Sequence, residues 1–181
     1  ALPMHVVWPV VAGMPALNTL VSDAAHHVTQ AFESEHSPDS QEPPELQGTG
    51  TLVLDAAGIV GIRLQVYEAV GQDTANRVRT FFGSRSSSTA WTGPDLVGAS
   101  ARTSMVPLFV KAASAGGHDP VSNASSNSNQ EAVLGGLTFD TAGGLVATPD
   151  QGSILAPGEG LVPLSLGAVA STPLLSAQGL E

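Results

Sequence analysis

Five histidines and sixteen acidic side chains are the residues of this sequence able to move protons or hold a metal ion. His26 and His27 are neighbours on a helical stretch, so they point about 100° apart and do not share one ion. His26, Gln30 and Glu33 fall on one stripe at i, i+4 and i+7, but glutamine is a poor ligand and the stripe reads as solvated. No His-Glu-x-x-His occurs. His118-Asp119-Pro120 lies in a polar segment and reads as a surface pair. Ser100, in Gly98-Ala-Ser-Ala-Arg102, lacks the second glycine that a nucleophile elbow needs. Gly48-Thr-Gly50 lacks the third glycine of a dinucleotide turn. Lys111, the only lysine, stands amid hydrophobic residues and reads as a surface or snorkelling side chain. Asp73, Asp95, Asp140 and Asp150 all lie near turns, where aspartate is favoured for backbone hydrogen bonding alone. The sequence contains no cysteine, so thiolate metal sites, disulfides and cysteine nucleophiles are absent. The expectation is therefore no catalytic residue, no cofactor-binding residue, no metal ligand and no cofactor.

One string invites a specific test. Leu137-Thr138-Phe139-Asp140-Thr141 looks like the first motif of NodB-type polysaccharide deacetylases, Thr-Phe-Asp-Asp-Gly-Pro. That chemistry needs a second adjacent aspartate and, downstream, two histidines four apart. Thr141 stands where the second aspartate belongs, and no histidine follows. The string is expected to be a strand ending at a Gly-Gly turn.

The elements that must position any site are set by composition and pattern. A chain of 181 residues is one ordinary domain in length, and reads as a single module. Charged residues make up only 12%, with 16 acids against 6 bases. The net charge of −10 repels nucleic acid and anionic membranes. No apolar run reaches the ~20 residues that cross a bilayer. Scarce lysine with abundant Ala, Gly and Val fits a GC-rich bacterial source.

Met4 to Val11 reads as a first strand, with Pro9 marking an edge or bulge. Leu17 to Ser34 carries the clearest helical period, with Asn18 as N-cap and Leu20, Val21, Ala24, Val28 and Phe32 facing the core. Glu35 to Gly48 reads as a loop. Thr49–Ala56, Ile59–Ala69 and Arg77–Phe82 form an antiparallel meander; in the second, Val60, Ile62, Leu64 and Val66 alternate against Arg63, Gln65 and Tyr67. A helix is expected from Ser104 to Ala115, opened near Pro94–Val97, with Pro107 in its first turn. Residues 116–130 hold no core former at regular spacing and read as a flexible loop. Short strands follow at Leu134–Phe139, Leu145–Thr148 and Leu161–Leu166, and Leu174-Leu175 lies in a tail. The fold class is α+β, a long amphipathic helix packed on a mostly antiparallel sheet, with a second, smaller helix and a C-terminal hairpin. The module divides into a helix-plus-meander half (1–97) and a second half (98–181).

Five stretches carry a family resemblance: His5–Leu17, Gly61–Tyr67, Thr80–Arg85 with Trp91–Val97, Leu137–Val146 and Pro157–Pro163. Together they resemble a bacterial envelope family that includes the ectodomain of the anti-sigma factor RsiV, secreted mycobacterial immunogenic proteins, and N-terminal modules of actinobacterial polysaccharide deacetylases. The last branch is the most similar. Many relatives carry Gly-Gly-x-His-Pro after the tyrosine strand; here Val70-Gly71-Gln72-Asp73 stands there, and Gly116–Pro120 lies about forty-five residues too late. The family has no common catalytic residues, so none is carried over. The resemblance implies an extracytoplasmic module, secreted or envelope-anchored through a removed N-terminal segment, and non-catalytic in itself. Its partners would be cell-wall glycan, a lytic enzyme, or its own deacetylase domain. The alternatives are an independent secreted hydrolase, or a protein-binding domain that recognises a lytic enzyme such as lysozyme.

Overall fold

The computed structural model describes residues 2–38 and 43–180. The fold is α+β, with a mostly antiparallel five-stranded sheet and a small three-stranded one. The chain forms two compact units. One holds the residues up to Arg77 with Phe81–Trp91; the other holds Val78–Thr80 and the residues from Thr92 onward.

The first unit is built on β1 (Met4–Val7), α1 (Pro15–Glu35), β2 (Glu45–Ala56), β3 (Ile59–Val70), β4 (Asp73–Ser84) and β5 (Ala90–Thr92), with strand order β1-β2-β3-β4-β5. β1 runs parallel to β2, and β2 runs antiparallel to β3 with a bulge between Leu52 and Leu54. The period-2 alternation of β3 is realised: Val60, Ile62, Leu64 and Val66 are buried. α1 lays Leu17, Val21, Ala25 and Phe32 on that side, with Leu20, Ala24 and Val28 partly buried beside them. His27, Asp23 and Gln30 face out. Gly48 and Gly50 have a packing reason. A Cβ on Gly48 would come within 2.6 Å of Val6 Cγ1, and one on Gly50 within 2.6 Å of Trp8 Cβ. Only glycine lets β1 lie that close.

Several boundaries depart from the sequence pattern. The first strand stops at Val7, before Pro9, whose ring has no N–H to offer a ladder. α1 begins at Pro15, and Asn18 is no N-cap. Its side chain reaches back instead: Oδ1 accepts from Val11 N at 2.9 Å, and Nδ2 donates to Val11 O at 2.9 Å. The loop expected over 35–48 is shorter, because β2 already starts at Glu45; the part at 39–42 lies outside the described residues.

The second unit contains α2 (Arg102–Ala115), α3 (Gln130–Leu134), β6 (Leu137–Phe139), β7 (Leu145–Ala147), β8 (Leu164–Ser165), α4 (Ala168–Ser171) and α5 (Ala177–Leu180). β6, β7 and β8 form an antiparallel sheet. α2 buries Met105, Val106, Phe109 and Ala113. Pro107 sits inside α2 rather than in its first turn, so one backbone donor is missing there. Leu134 ends a helix instead of opening a strand, the last strand is only Leu164–Ser165, and Thr172–Leu174 forms a 3-10 turn in what read as a tail.

The 116–130 segment is corrected most. It is pinned by its backbone, which a search for apolar spacing does not detect. Val121 N donates to Ile154 O at 2.9 Å, Ala124 is buried, and Pro120 bridges to Leu155. The Asn129 amide donates to the carbonyls of Asn123, Ala124 and Ser153. Hydrogen exchange should therefore show protection at Val121 and Ala124. Exchange at unprotected rates across the whole segment would restore the reading of a free loop.

Candidate functional site

Three of the four aspartates singled out in the sequence, Asp95, Asp140 and Asp150, serve a local structure. Asp140 Oδ1 accepts the amides of Ala142 at 2.9 Å and Gly144 at 2.8 Å, and Oδ2 accepts the Ser165 hydroxyl at 3.0 Å. The Gly144 amide above all, then the Ser165 hydroxyl, hold its carboxyl below the ordinary 3.8; burial opposes them, and the Ala142 amide adds the least. The deacetylase-like string is thus strand β6 ending at a turn, held by an aspartate whose two oxygens are both occupied. The sign of the pH dependence follows. A lowered folded pKa stabilises the fold above the unfolded value, and that stability is lost as pH falls through the folded one. Carboxyl NMR should place the Asp140 midpoint below 3.8. A midpoint at or above that value would contradict the bonding described.

Asp95 Oδ2 accepts from Thr92 N at 2.9 Å and Thr92 Oγ1 at 2.8 Å, and its Oδ1 faces Arg102 at 3.4 Å. Asp150 receives Val78 N and the Arg79 guanidinium. Asp73 is exposed at the start of β4, and Ser100 and Lys111 are exposed. His118 Nδ1 lies 2.7 Å from Glu159 Oε2, while the adjacent Asp119 is exposed. His26 makes an edge contact with Trp8, and His27, Gln30 and Glu33 face out.

The sequence pattern missed one cluster. Donor atoms of Glu35, His36 and Glu68 lie within 4.8 Å of one another. His36 and Glu68 are 32 residues apart, and only the packing of α1 on the sheet unites them. Glu68 Oε1 is 3.0 Å from His36 Nε2, and its Oε2 is 3.4 Å from Arg77 Nη2. The carboxylate is already shared between an imidazole and a guanidinium. His36, Glu68 and Arg77 therefore form a chain of polar contacts tying the end of α1 to β3 and β4.

What remains is the side of the sheet opposite α1. There the register sets polar side chains in rows across the strands. His5, Gln47 and Tyr67 form one row; Val7, Thr49 and Gln65 form the next; Thr51 and Arg63 form a third. Gln65 Nε2 extends the middle row to Asn76 Oδ1 at 3.4 Å. Adjacent strands lie about 4.8 Å apart, and rows two residues apart are separated by about 7 Å. His5, Gln47, Thr49, Thr51 and Gln65 are exposed; Arg63, Tyr67 and Asn76 are half-buried. Among the described residues, the side chains of Thr49, Thr51, Arg63 and Tyr67 have no hydrogen-bond partner. The face thus presents uncommitted hydroxyl and guanidinium groups beside the chain's only tyrosine. Such a surface can hydrogen-bond hydroxyl-rich polymers and offers one aromatic ring for apolar contact.

No protein-family model and no curated protein matches this chain. Solved structures do. A DUF3298 family protein from Pseudomonas aeruginosa aligns with TM-score 0.61 at 14% identity, over 93% of this chain and 82% of its own. A DUF3298 family member from Bacteroides fragilis aligns with TM-score 0.58 at 10% identity, over 90% of this chain and 67% of its own. At these identities the likeness is one of fold.

Proposed function

We propose that this chain is a non-catalytic, extracytoplasmic accessory module that binds cell-wall glycan and works beside a polysaccharide deacetylase. The observation that carries the reading is the polar sheet face, with Tyr67 beside free hydroxyls on rows fixed by backbone register. Rigid sheet positions suit recognition of a repeating polymer, because donor spacing does not depend on loop conformation. The RsiV-like resemblance supports an envelope setting, and the resemblance to deacetylase N-terminal modules supports the enzymatic context. Asp95, Asp140 and Asp150 support a binding role over a hydrolytic one, since each is held by backbone amides or an arginine, not gathered in a pocket.

Co-sedimentation with insoluble peptidoglycan tests the reading. The wild-type chain is expected in the pellet, and Tyr67→Ala in the supernatant with an unchanged circular dichroism spectrum. Equal recovery of both proteins from the supernatant would overturn it. A second reading is a domain that recognises a cationic lytic enzyme such as lysozyme. The net charge of −10 favours it, and salt-sensitive binding of lysozyme that survives Tyr67→Ala would point there.

A further inference from the structure

We infer that the glycan taken by this sheet face bears sparse carboxylates, and that Arg63 selects them. The inference rests on the glycan-binding reading above. Arg77, Arg79, Arg85 and Arg102 each face an acidic side chain. Among the described residues, only Arg63 and the exposed Lys111 of α2 lack such a partner. With 16 acids to 6 bases in the sequence, an unpaired arginine is a feature of position rather than of supply.

Arg63 sits in the third row of the polar face, opposite Thr51. Its neighbours two residues along β3 are Gly61 and Gln65, and no acid lies directly across from it. The one acid at the border, Glu45, lies four residues before Thr49 on β2 and already accepts from Gln47 Nε2 at 2.7 Å. A guanidinium among neutral hydroxyls and amides is matched by a carboxylate among sugar hydroxyls. Its planar fork binds carboxylate through two parallel hydrogen bonds, which lysine cannot reproduce. Tyr67 lies four residues along β3, about 13 Å away, so a ligand touching both is a chain of sugars and not a single ring.

The net charge of −10 restricts the ligand further. It repels a densely charged polymer, whereas isolated carboxylates separated by more than the Debye length of about 8 Å escape most of that repulsion at physiological salt. Titration calorimetry of the whole chain with chitin oligomers, sparsely carboxymethylated chitin, polygalacturonate and polyglutamate tests this. The carboxymethylated chitin is expected to bind about tenfold tighter than chitin, and both polyanions more weakly than it. Arg63→Gln should erase that preference, so that the variant binds chitin and its carboxymethyl derivative equally, and Arg63→Lys should restore only part of it. Equal affinity for chitin and its carboxymethyl derivative, or a preference that survives Arg63→Gln, would overturn the inference and leave the glycan reading standing. Polyglutamate binding as tightly as the carboxymethylated chitin would assign Arg63 to an acidic peptide and overturn it too. Absence of binding to every sugar polymer would instead remove the glycan reading itself, and the inference with it.

Discussion

Phe32→Ala should lower the unfolding free energy by about 3–5 kcal/mol, and His27→Ala by under about 0.5 kcal/mol. Phe32 is 3% exposed in the cluster that joins α1 to Leu46, Ile62 and Leu64, and its ring meets that of His36 with centroids 4.6 Å apart. Removing it loses the transfer free energy of the ring and leaves a cavity that a sheet and a long helix cannot close. The chain has only eight aromatic side chains, five of them phenylalanine, so few neighbours are large enough to fill the gap. His27, five residues earlier, is exposed and makes no such contact. Chemical denaturation of the two variants reads the rotation of α1 directly. Comparable losses, or a larger one for His27→Ala, would mean that the helix faces the other way.

Asp150→Ala should be the most damaging polar substitution among those described in the second unit, at about 3 kcal/mol. Its Oδ1 accepts Val78 N at 2.8 Å and Arg79 Nη1 at 2.9 Å, with Oδ2 3.0 Å from the same guanidinium nitrogen. Val78 is fully buried, so its amide would lose its partner away from water. Arg79 would keep its bond to Val78 O at 2.8 Å, and its one remaining acidic partner would be Glu131 at 3.6 Å, a side chain 83% exposed. Glu131→Ala is the internal comparison and should change stability by under about 0.5 kcal/mol, because exposed pairs contribute little. If the two substitutions prove equally harmless in urea, Asp150 does not organise this region.

The elements legible in the sequence are those whose cause is a period. α1 shows in Leu17, Val21, Ala25 and Phe32, and β3 in the alternation of Val60 to Val66, because burying one face imposes a repeat on the chain. The misplaced features have causes that leave no period. Asn18 stands where a helix start suggests a cap, but its amide satisfies Val11 across the preceding turn. Pro43 and Pro44 disguised the beginning of β2 at Glu45. Residues 116–130 are fixed by backbone bonds to Ile154 and by one asparagine amide, and no apolar pattern reports such bonds.

The same distinction governs the site. That Arg63, Gln65 and Tyr67 share the side of β3 away from the core follows from parity alone. That they lie in rows with Thr51, Thr49 and Gln47, and with His5 and Val7 beyond, follows from a register that sequence does not encode locally. The link between His36 and Glu68 leaves no local pattern for the same reason, the two being joined only by tertiary packing.

The central claim is that the polar sheet face is the surface that binds glycan, and amide chemical-shift mapping on adding soluble peptidoglycan fragments tests it most directly. The account predicts shifts concentrated at Gln47, Thr49, Thr51, Arg63, Gln65 and Tyr67, saturating together, with the buried Val21 and Phe32 of α1 unmoved. Saturable shifts clustered elsewhere, with this face silent, would contradict it.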